Sequence, residues 1–274
     1  MKKVLTLILA LAMICSLATS CGTKKAASYD DLTYFDLGME REYFGIAFRS
    51  GSDVTRMVED ITLELIESGK LAELSTTYEV GAVGKGDYAA AADPCTGSGD
   101  WDYIKNKGTL VVGITDYKPM DYRDDNGNWI GFDADYARAV CEKLGVTCEF
   151  KEIEWDYKLI ALESKDIDCI WNGMTITDAI EAAADCTAPY MYNTQVAVIK
   201  KADANKYKAV ADLKGKDIAA EGGSAGETVI KDSADLKGGL KTVAAQTDAI
   251  LEVMSGASDA AVVDLTLAKA LIKK

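Results

Sequence analysis

Two stretches of this chain carry groups able to hold a small polar molecule. Residues 166–190 read DIDCIWNGMTITDAIEAAADCTAPY. An apolar run ends in Trp171, a small polar turn follows at Asn172-Gly173, and Met174-Thr175-Ile176-Thr177 leads into a helix predicted over Asp178–Ala184. A strand that runs through such a turn into a helix start leaves backbone N–H groups free at the carboxyl end of a sheet, where open α/β folds bind ligands. Thr175 and Thr177 add hydroxyls, and either can cap the helix. The second stretch is Gly222-Gly223-Ser224-Ala225-Gly226, between a strand at Ile218–Ala220 and a helix from near Glu227. Its N–H groups can meet an anion. Either unit alone is common, and most such units carry no ligand.

The composition removes several chemistries. The 274 residues include no histidine, which takes away the commonest general base and the commonest metal ligand. There is no paired C-x-x-C, so a zinc site is not expected, and neither is any cofactor. Lys and Arg number 30 against 44 Asp and Glu; loss of residues 1–20, with two lysines and no acid, leaves −16. A chain this acidic lacks the basic clusters that neutralise phosphates, so nucleic acid is not a partner. Like charge suits an exported domain kept apart from its copies, and a monomer is expected.

Residues 1–20 have a basic head at Lys2-Lys3, an apolar run from Val4 and small residues before Cys21. That is the pattern of a secretory signal; an uncleaved anchor is the alternative, since the run approaches spanning length. Cys21 after those small residues resembles the lipobox of bacterial lipoproteins, with Ala18 where Leu is usual. The resemblance implies lipidation of Cys21 and tethering to the outer face of the bacterial cytoplasmic membrane.

Positioning these stretches falls to alternating strands and helices, as in parallel α/β layers. Strands are predicted at Leu32–Leu37, Glu42–Arg49, Leu110–Ile114, Val146–Ile153 and Asn193–Lys200. Ser52 or Asp53 caps a helix in which Val54, Val58, Ile61, Leu65 and Ile66 recur at helical spacing, and Lys70–Tyr78 forms a second. Further helices are predicted at Asp133–Leu144 and Trp155–Ser164, with a hairpin-type turn at Asp124–Gly127.

The wording D-I-D-C-I-W-N-G-M-T-I-T resembles the signature segment of bacterial amino-acid-binding proteins of ABC transporters, the two-lobed flytrap family of extracellular solute-binding proteins. The opening of the second lobe in that family resembles Val210-Ala211-Asp212-Leu213-Lys214-Gly215-Lys216. The resemblance implies an α/β fold of the periplasmic binding protein type II kind, each lobe a central sheet with flanking helices. The order is unusual. Glu42–Thr55 and Leu65–Tyr78 resemble the family's closing part but come first, whereas its usual beginning appears at Gly108–Gly113. Asp259–Ala268 resembles a mid-family stretch that would run on into Leu32–Phe48. A circular permutation accounts for this, with old ends joined through the loop-like residues 81–100. A partial domain followed by a truncated copy is the alternative.

The implied division is a signal over 1–20, a lipidated tether over 21–31, part of lobe 2 over 32–43, a hinge strand over 44–49 and lobe 1 C-terminal helices over 50–80. A permutation linker over 81–100, lobe 1 over 101–192, a hinge strand over 193–200 and lobe 2 over 201–274 complete it. By the same resemblance Tyr117 stacks on the ligand and Trp155 forms a second aromatic wall. Asn172, Gly173 and Thr175 receive the ligand's ammonium and carboxylate, Ser224 and Ala225 supply backbone donors, and Asp264 pairs with an α-ammonium group. Bland alternatives are a surface loop for Tyr117, plain core for Trp155 and a helix cap for Asp264. The family also places a disulfide where Cys141 and Cys148 stand. Cys169 and Cys186 either face each other on neighbouring strands or are buried thiols, and Cys95 is left over.

One departure weighs against simple transfer. The arginine that grips the α-carboxylate in "T-I-T-x-x-R" is Ile180 here. The ligand then lacks a carboxylate, or Lys118 or Arg123 reaches in, or the site is altered. The function implied is capture of an amino acid or related amine and delivery to an ABC permease, without catalysis. The competing classes are a dehydratase-like enzyme on the same fold, with Glu154 as its acid or base, and a sensor module without a permease.

Overall fold

Short apolar runs separated by amphipathic helices assemble into two mixed sheets, each covered by its helices. The computed structural model describes residues 27–82, 84, 88, 89 and 99–273. The expected export signal over 1–20, the expected lipidation site Cys21 and Cys95 lie outside the described residues, as does most of the segment 81–100.

The chain opens with β1 (Leu32–Asp36), β2 (Glu42–Arg49), α1 (Val54–Glu67) and α2 (Lys70–Thr77). Next come α3 (Asp100–Lys107), β3 (Thr109–Ile114), the hairpin of β4 (Tyr122–Arg123) and β5 (Trp129–Ile130), α4 (Phe132–Leu144) and β6 (Thr147–Glu152). Then α5 (Lys158–Glu163), β7 (Cys169–Thr175), α6 (Asp178–Glu181), β8 (Ala184–Cys186), β9 (Met191–Asn193) and β10 (Gln195–Lys200) follow. The last part holds β11 (Ile218–Glu221), α7 (Ala225–Asp232), β12 (Leu240–Val243), α8 (Gln246–Ser255), β13 (Ala260–Asp264) and α9 (Leu265–Leu271).

In lobe 1 the strand order is β6-β3-β7-β2-β8, with β9 also paired to β2. Lobe 2 has the order β1-β10-β13-β11-β12. Strand β2 runs antiparallel between β7 on one side and β8 and β9 on the other. The sheets are joined where β1 passes to β2 through residues 37–41 and where β9 passes to β10 through Thr194. The expected hinge strand 44–49 lies within the lobe 1 sheet, with the crossing just ahead of it, whereas the expected hinge strand 193–200 contains the crossing at Thr194.

Helix α1 buries Val54, Val58 and Leu65 and packs, with α2, against α4. Full burial of a Val or Leu side chain contributes about 1.5–3 kcal/mol. The far end of β2 is fixed electrostatically. Arg49 donates to Asp100 (2.7 Å), to Asp168 (3.3 Å) and to the carbonyls of Leu162 and Ile167. Asp168, fully buried at the start of β7, also accepts from Lys107 (2.5 Å) and from the Val111 N–H (2.8 Å).

Three local expectations are corrected. Asn172-Gly173 is not a turn: β7 runs unbroken through it, and the register shifts there, so that Trp171, Asn172 and Gly173 lie opposite the single residue Ile46. Gly173 accommodates this bulge at φ +55, a conformation that disfavours a side chain. The helix after Thr177 is one turn, ending at Glu181, because Ala184 enters β8. The bridge expected between Cys141 and Cys148 is absent; both are free thiols. Cys169 and Cys186 are free as well, and β2 lies between their strands.

Candidate functional site

A cavity of about 520 Å³ lies where the two lobes meet. Lobe 1 contributes β7, the start of α6 and the turn before α5; lobe 2 contributes β11, α7, the start of α8 and the end of β13. The lobes are closed on each other. Lys158 donates to the Gly223 carbonyl (2.8 Å), and the Thr247 hydroxyl donates to the Asp116 carbonyl (3.1 Å).

All eight residues expected around a ligand line this cavity: Tyr117, Trp155, Asn172, Gly173, Thr175, Ser224, Ala225 and Asp264. Tyr117 and Trp155 are buried, at 2% and 7% exposure, so the surface-loop alternative for Tyr117 is set aside. The Tyr117 ring packs straight onto Gly173, where an added Cβ would come within 2.6 Å of it. Several of these residues already have hydrogen-bond partners within the protein. The Gly173 N–H donates to the buried Asp133 carboxylate (2.6 Å), which also accepts from the Tyr190 hydroxyl (2.8 Å). The Asn172 amide donates to the Thr115 carbonyl and to Asp121 (2.8 Å), while its oxygen accepts from the Thr115 N–H and hydroxyl. Both groups therefore have partners within the wall itself.

The same holds across the cleft. Ser224 caps α7, its hydroxyl accepting from the Glu227 N–H (3.1 Å). The Glu227 carboxylate turns back to accept from the Gly223 N–H (3.0 Å) and from the Thr242 hydroxyl (2.9 Å). An acid in the first turn complements the helix dipole, so the chain supplies its own anion at this turn.

Asp264 ends β13 and makes no side-chain cap to α9, so the helix-cap alternative does not hold. Its carboxylate accepts from the amides of Asn193, Gln195 and Gln246, each at 2.6 Å. Asn193 and Gln195 also donate to Glu42, at 3.0 and 2.9 Å, and the Thr175 hydroxyl reaches Glu42 at 3.4 Å. Two carboxylates, one at the start of β2 and one at the end of β13, thus share a pair of amide donors. Burial and the nearby Asp264 charge push Glu42 up to about 7. Burial also raises Asp264 itself. A third acid, Glu221 at the end of β11, is 3% exposed, and its Oε1 has no hydrogen-bond partner. Burial, followed by the Asp264 charge, pushes it up to about 8, while Lys158 opposes the shift. Burial and Asp264 likewise hold the Tyr117 phenol well above its usual range.

Sequence reasoning missed Glu42, Glu221 and the amides of Asn193, Gln195 and Gln246. Ile180 lines the cavity as expected for its position. Lys118 and Arg123, considered as replacement cations, lie elsewhere: Lys118 over the Tyr122 ring, Arg123 over Trp129 and against Glu152. The cations that line the cavity are Arg41 and Lys158.

Two α/β lobes, joined by short crossings and closed over a polar cavity, define a two-lobed type II solute-binding fold. The chain belongs to the bacterial extracellular solute-binding proteins, family 3, whose pattern it matches over residues 110–272. It is 35% identical to the L-cystine-binding protein TcyJ of Escherichia coli (strain K12) over 116 residues, 42% of this chain and 44% of that protein. It is also 35% identical to the L-arginine-binding protein of Pseudomonas aeruginosa over 151 residues, 54% of this chain and 57% of the relative. The chain thus spans about half the length of these relatives. Holo ArgBP from T. maritima superposes with a TM-score of 0.59 at 34% identity, covering 62% of this chain and 74% of that one. The ancestral amino acid-binding protein AncCDT-1, described as a precursor of cyclohexadienyl dehydratase, gives 0.58 at 37% identity over 61% and 74%.

Proposed function

We propose that this protein captures a small polar solute, an amino acid or related amine, between its lobes and delivers it to an ABC permease. The observation that carries the reading is Asp264: a buried carboxylate held by three amides at the wall of a closed interlobe cavity. Such a preorganised anion suits a protonated amine, and relatives named for cystine and arginine binding support the solute class. The open form exchanges solute, and bound solute favours the closed form that the permease recognises. Crossings at residues 37–41 and Thr194 are the hinge. Lipidation at Cys21 tethers an otherwise monomeric protein to the outer face of the membrane.

The chain is a circular permutant in this proposal. The family match begins at residue 110, yet β2 and α1–α2, from the start of the chain, complete the lobe 1 sheet and pack on α4. No catalytic step is assigned. Glu154, the acid of the dehydratase-like alternative, is exposed and does not line the cavity. Saturable binding without turnover of cyclic acids is expected, and product formation would establish the enzyme instead. Co-purification of a permease from solute-loaded membranes after cross-linking tests delivery; recovery of a signalling receptor alone would favour the sensor.

A further inference from the structure

The cavity holds an excess of carboxylates that the protein does not neutralise. Glu42, Glu221 and Asp264 all line it, and the described cations that accompany them are already engaged. The buried Lys158 ammonium donates to the carbonyls of Trp155 (3.1 Å) and Gly223 (2.8 Å) and lies 4.9 Å from the Trp155 ring centre. Arg41 is exposed at the mouth, its guanidinium 5.1 Å over the Tyr192 ring. Two of the backbone donors at the wall are taken, Gly173 N–H by Asp133 and Gly223 N–H by Glu227. Against this, Glu221 Oε1 is buried, faces the cavity and has no partner. An unpaired carboxylate in such a place is unfavourable unless a cation or a proton meets it.

Resting on the solute-binding reading above, we infer that the solute is an aliphatic diamine-type cation without a carboxylate: one protonated nitrogen meets Asp264 and Glu42, and a second meets Glu221. In the empty protein, protons occupy part of this role. Glu42 and Glu221 sit at about 7 and about 8, raised first by burial. The groups facing Glu221 are Asp264, Asp248, Lys158 and the Thr115 hydroxyl, and Asp264 is the charge facing Glu42. A dication displaces those protons, so its affinity rises from pH 6 to pH 8 as proton competition fades. A zwitterionic amino acid would bring its carboxylate into a cavity already lined by these three acids, with Ile180 where the family places its carboxylate-binding arginine.

Two probes isolate the point, since 1,4-diaminobutane and L-ornithine differ only by the α-carboxylate. Calorimetric titration of the full chain at pH 8 is expected to give diaminobutane a Kd at least tenfold tighter than ornithine. Glu221→Gln should weaken diaminobutane at least tenfold, and Glu42→Gln, as an independent variant, should do the same, each checked for folding by circular dichroism. Ornithine binding tighter than the diamine would overturn this inference and leave the solute-binding reading intact. Unchanged diamine affinity in both folded variants would also overturn it. Silence toward these two probes and toward all twenty amino acids would overturn both readings.

Discussion

Replacing Glu221 by Gln should make the empty protein more stable, and by an amount that depends on pH. The side chain is 3% exposed at the end of β11, with Asp264 and Asp248 nearby and Lys158 as its one compensating charge. Its pKa rises from 4.5 to about 8 on folding. Below pH 4.5 the group is protonated in both states and the substitution gains little. Between 4.5 and 8 the unfolded carboxylate is ionised while the folded one keeps its proton, so wild-type stability falls as pH rises. Above 8 the penalty is complete, about 5 kcal/mol at about 1.4 kcal/mol per pKa unit. Glutamine carries no such slope. Urea unfolding of both proteins without solute should therefore show a difference of about 1 kcal/mol at pH 5, growing to several kcal/mol at pH 9. The accompanying rise in Tm at pH 9 is about 10–20 °C, taking about 2–4 °C per kcal/mol for a chain of this size. A difference that stays flat across that range, or a variant less stable at pH 9, would refute the picture of a desolvated, uncompensated carboxylate. The pairing of higher stability with poorer binding is the usual trade at a site built for a missing partner.

Other substitutions probe the walls and supports. Ile180→Arg places a guanidinium at the cavity edge and should improve α-amino acid affinity tenfold or more in calorimetry, because a bidentate carboxylate partner becomes available. No gain would mean that the family geometry does not transfer to this position. Gly173→Ala should cost about 2 kcal/mol or more in denaturant unfolding, since residue 173 has φ +55 and its new Cβ meets the Tyr117 ring at 2.6 Å. Loss of less than about 0.5 kcal/mol would contradict the bulge. Asp168→Ala should cost about 3 kcal/mol or more, because Arg49 and Lys107 lose a buried partner; a neutral result would show that Asp100 suffices for Arg49.

Much of the scaffold was legible. The strand at Glu42–Arg49 and the helix carrying Val54, Val58 and Leu65 follow from local apolar spacing and appear where that spacing puts them. Pattern also locates the hairpin turn, whose Gly127 N–H donates to the Asp124 carbonyl. The Asn172-Gly173 pair misled, because a glycine with positive φ serves a bulge as well as a turn and only the partner strand β2 distinguishes them. Helix α8 went unread although Ala249, Ile250 and Val253 carry a helical stripe. The cavity residues named through family resemblance all reach the cavity, but resemblance did not say which donors the chain itself occupies. Glu42 read as the polar start of a strand, and Glu221 fell between the strand predicted at Ile218–Ala220 and the Gly222 turn. Their burial arises where two lobes meet, and residues 42, 221 and 264 share no local pattern. The amides at 193, 195 and 246 were invisible for the same reason: polar residues beside strands are common, and only the closed fold aims these three at one carboxylate.

The central claim is that the interlobe cavity is a solute site anchored on Asp264. It is tested most directly by titrating wild type and Asp264→Asn side by side, with amino acids and aliphatic amines, by calorimetry at pH 8. The account predicts one-site saturable binding of at least one solute to the wild type, weakened at least thirtyfold in the variant, since removing one partner of a buried charge pair costs about 2–5 kcal/mol. Equal affinity in both proteins, or no heat from any solute, would contradict it.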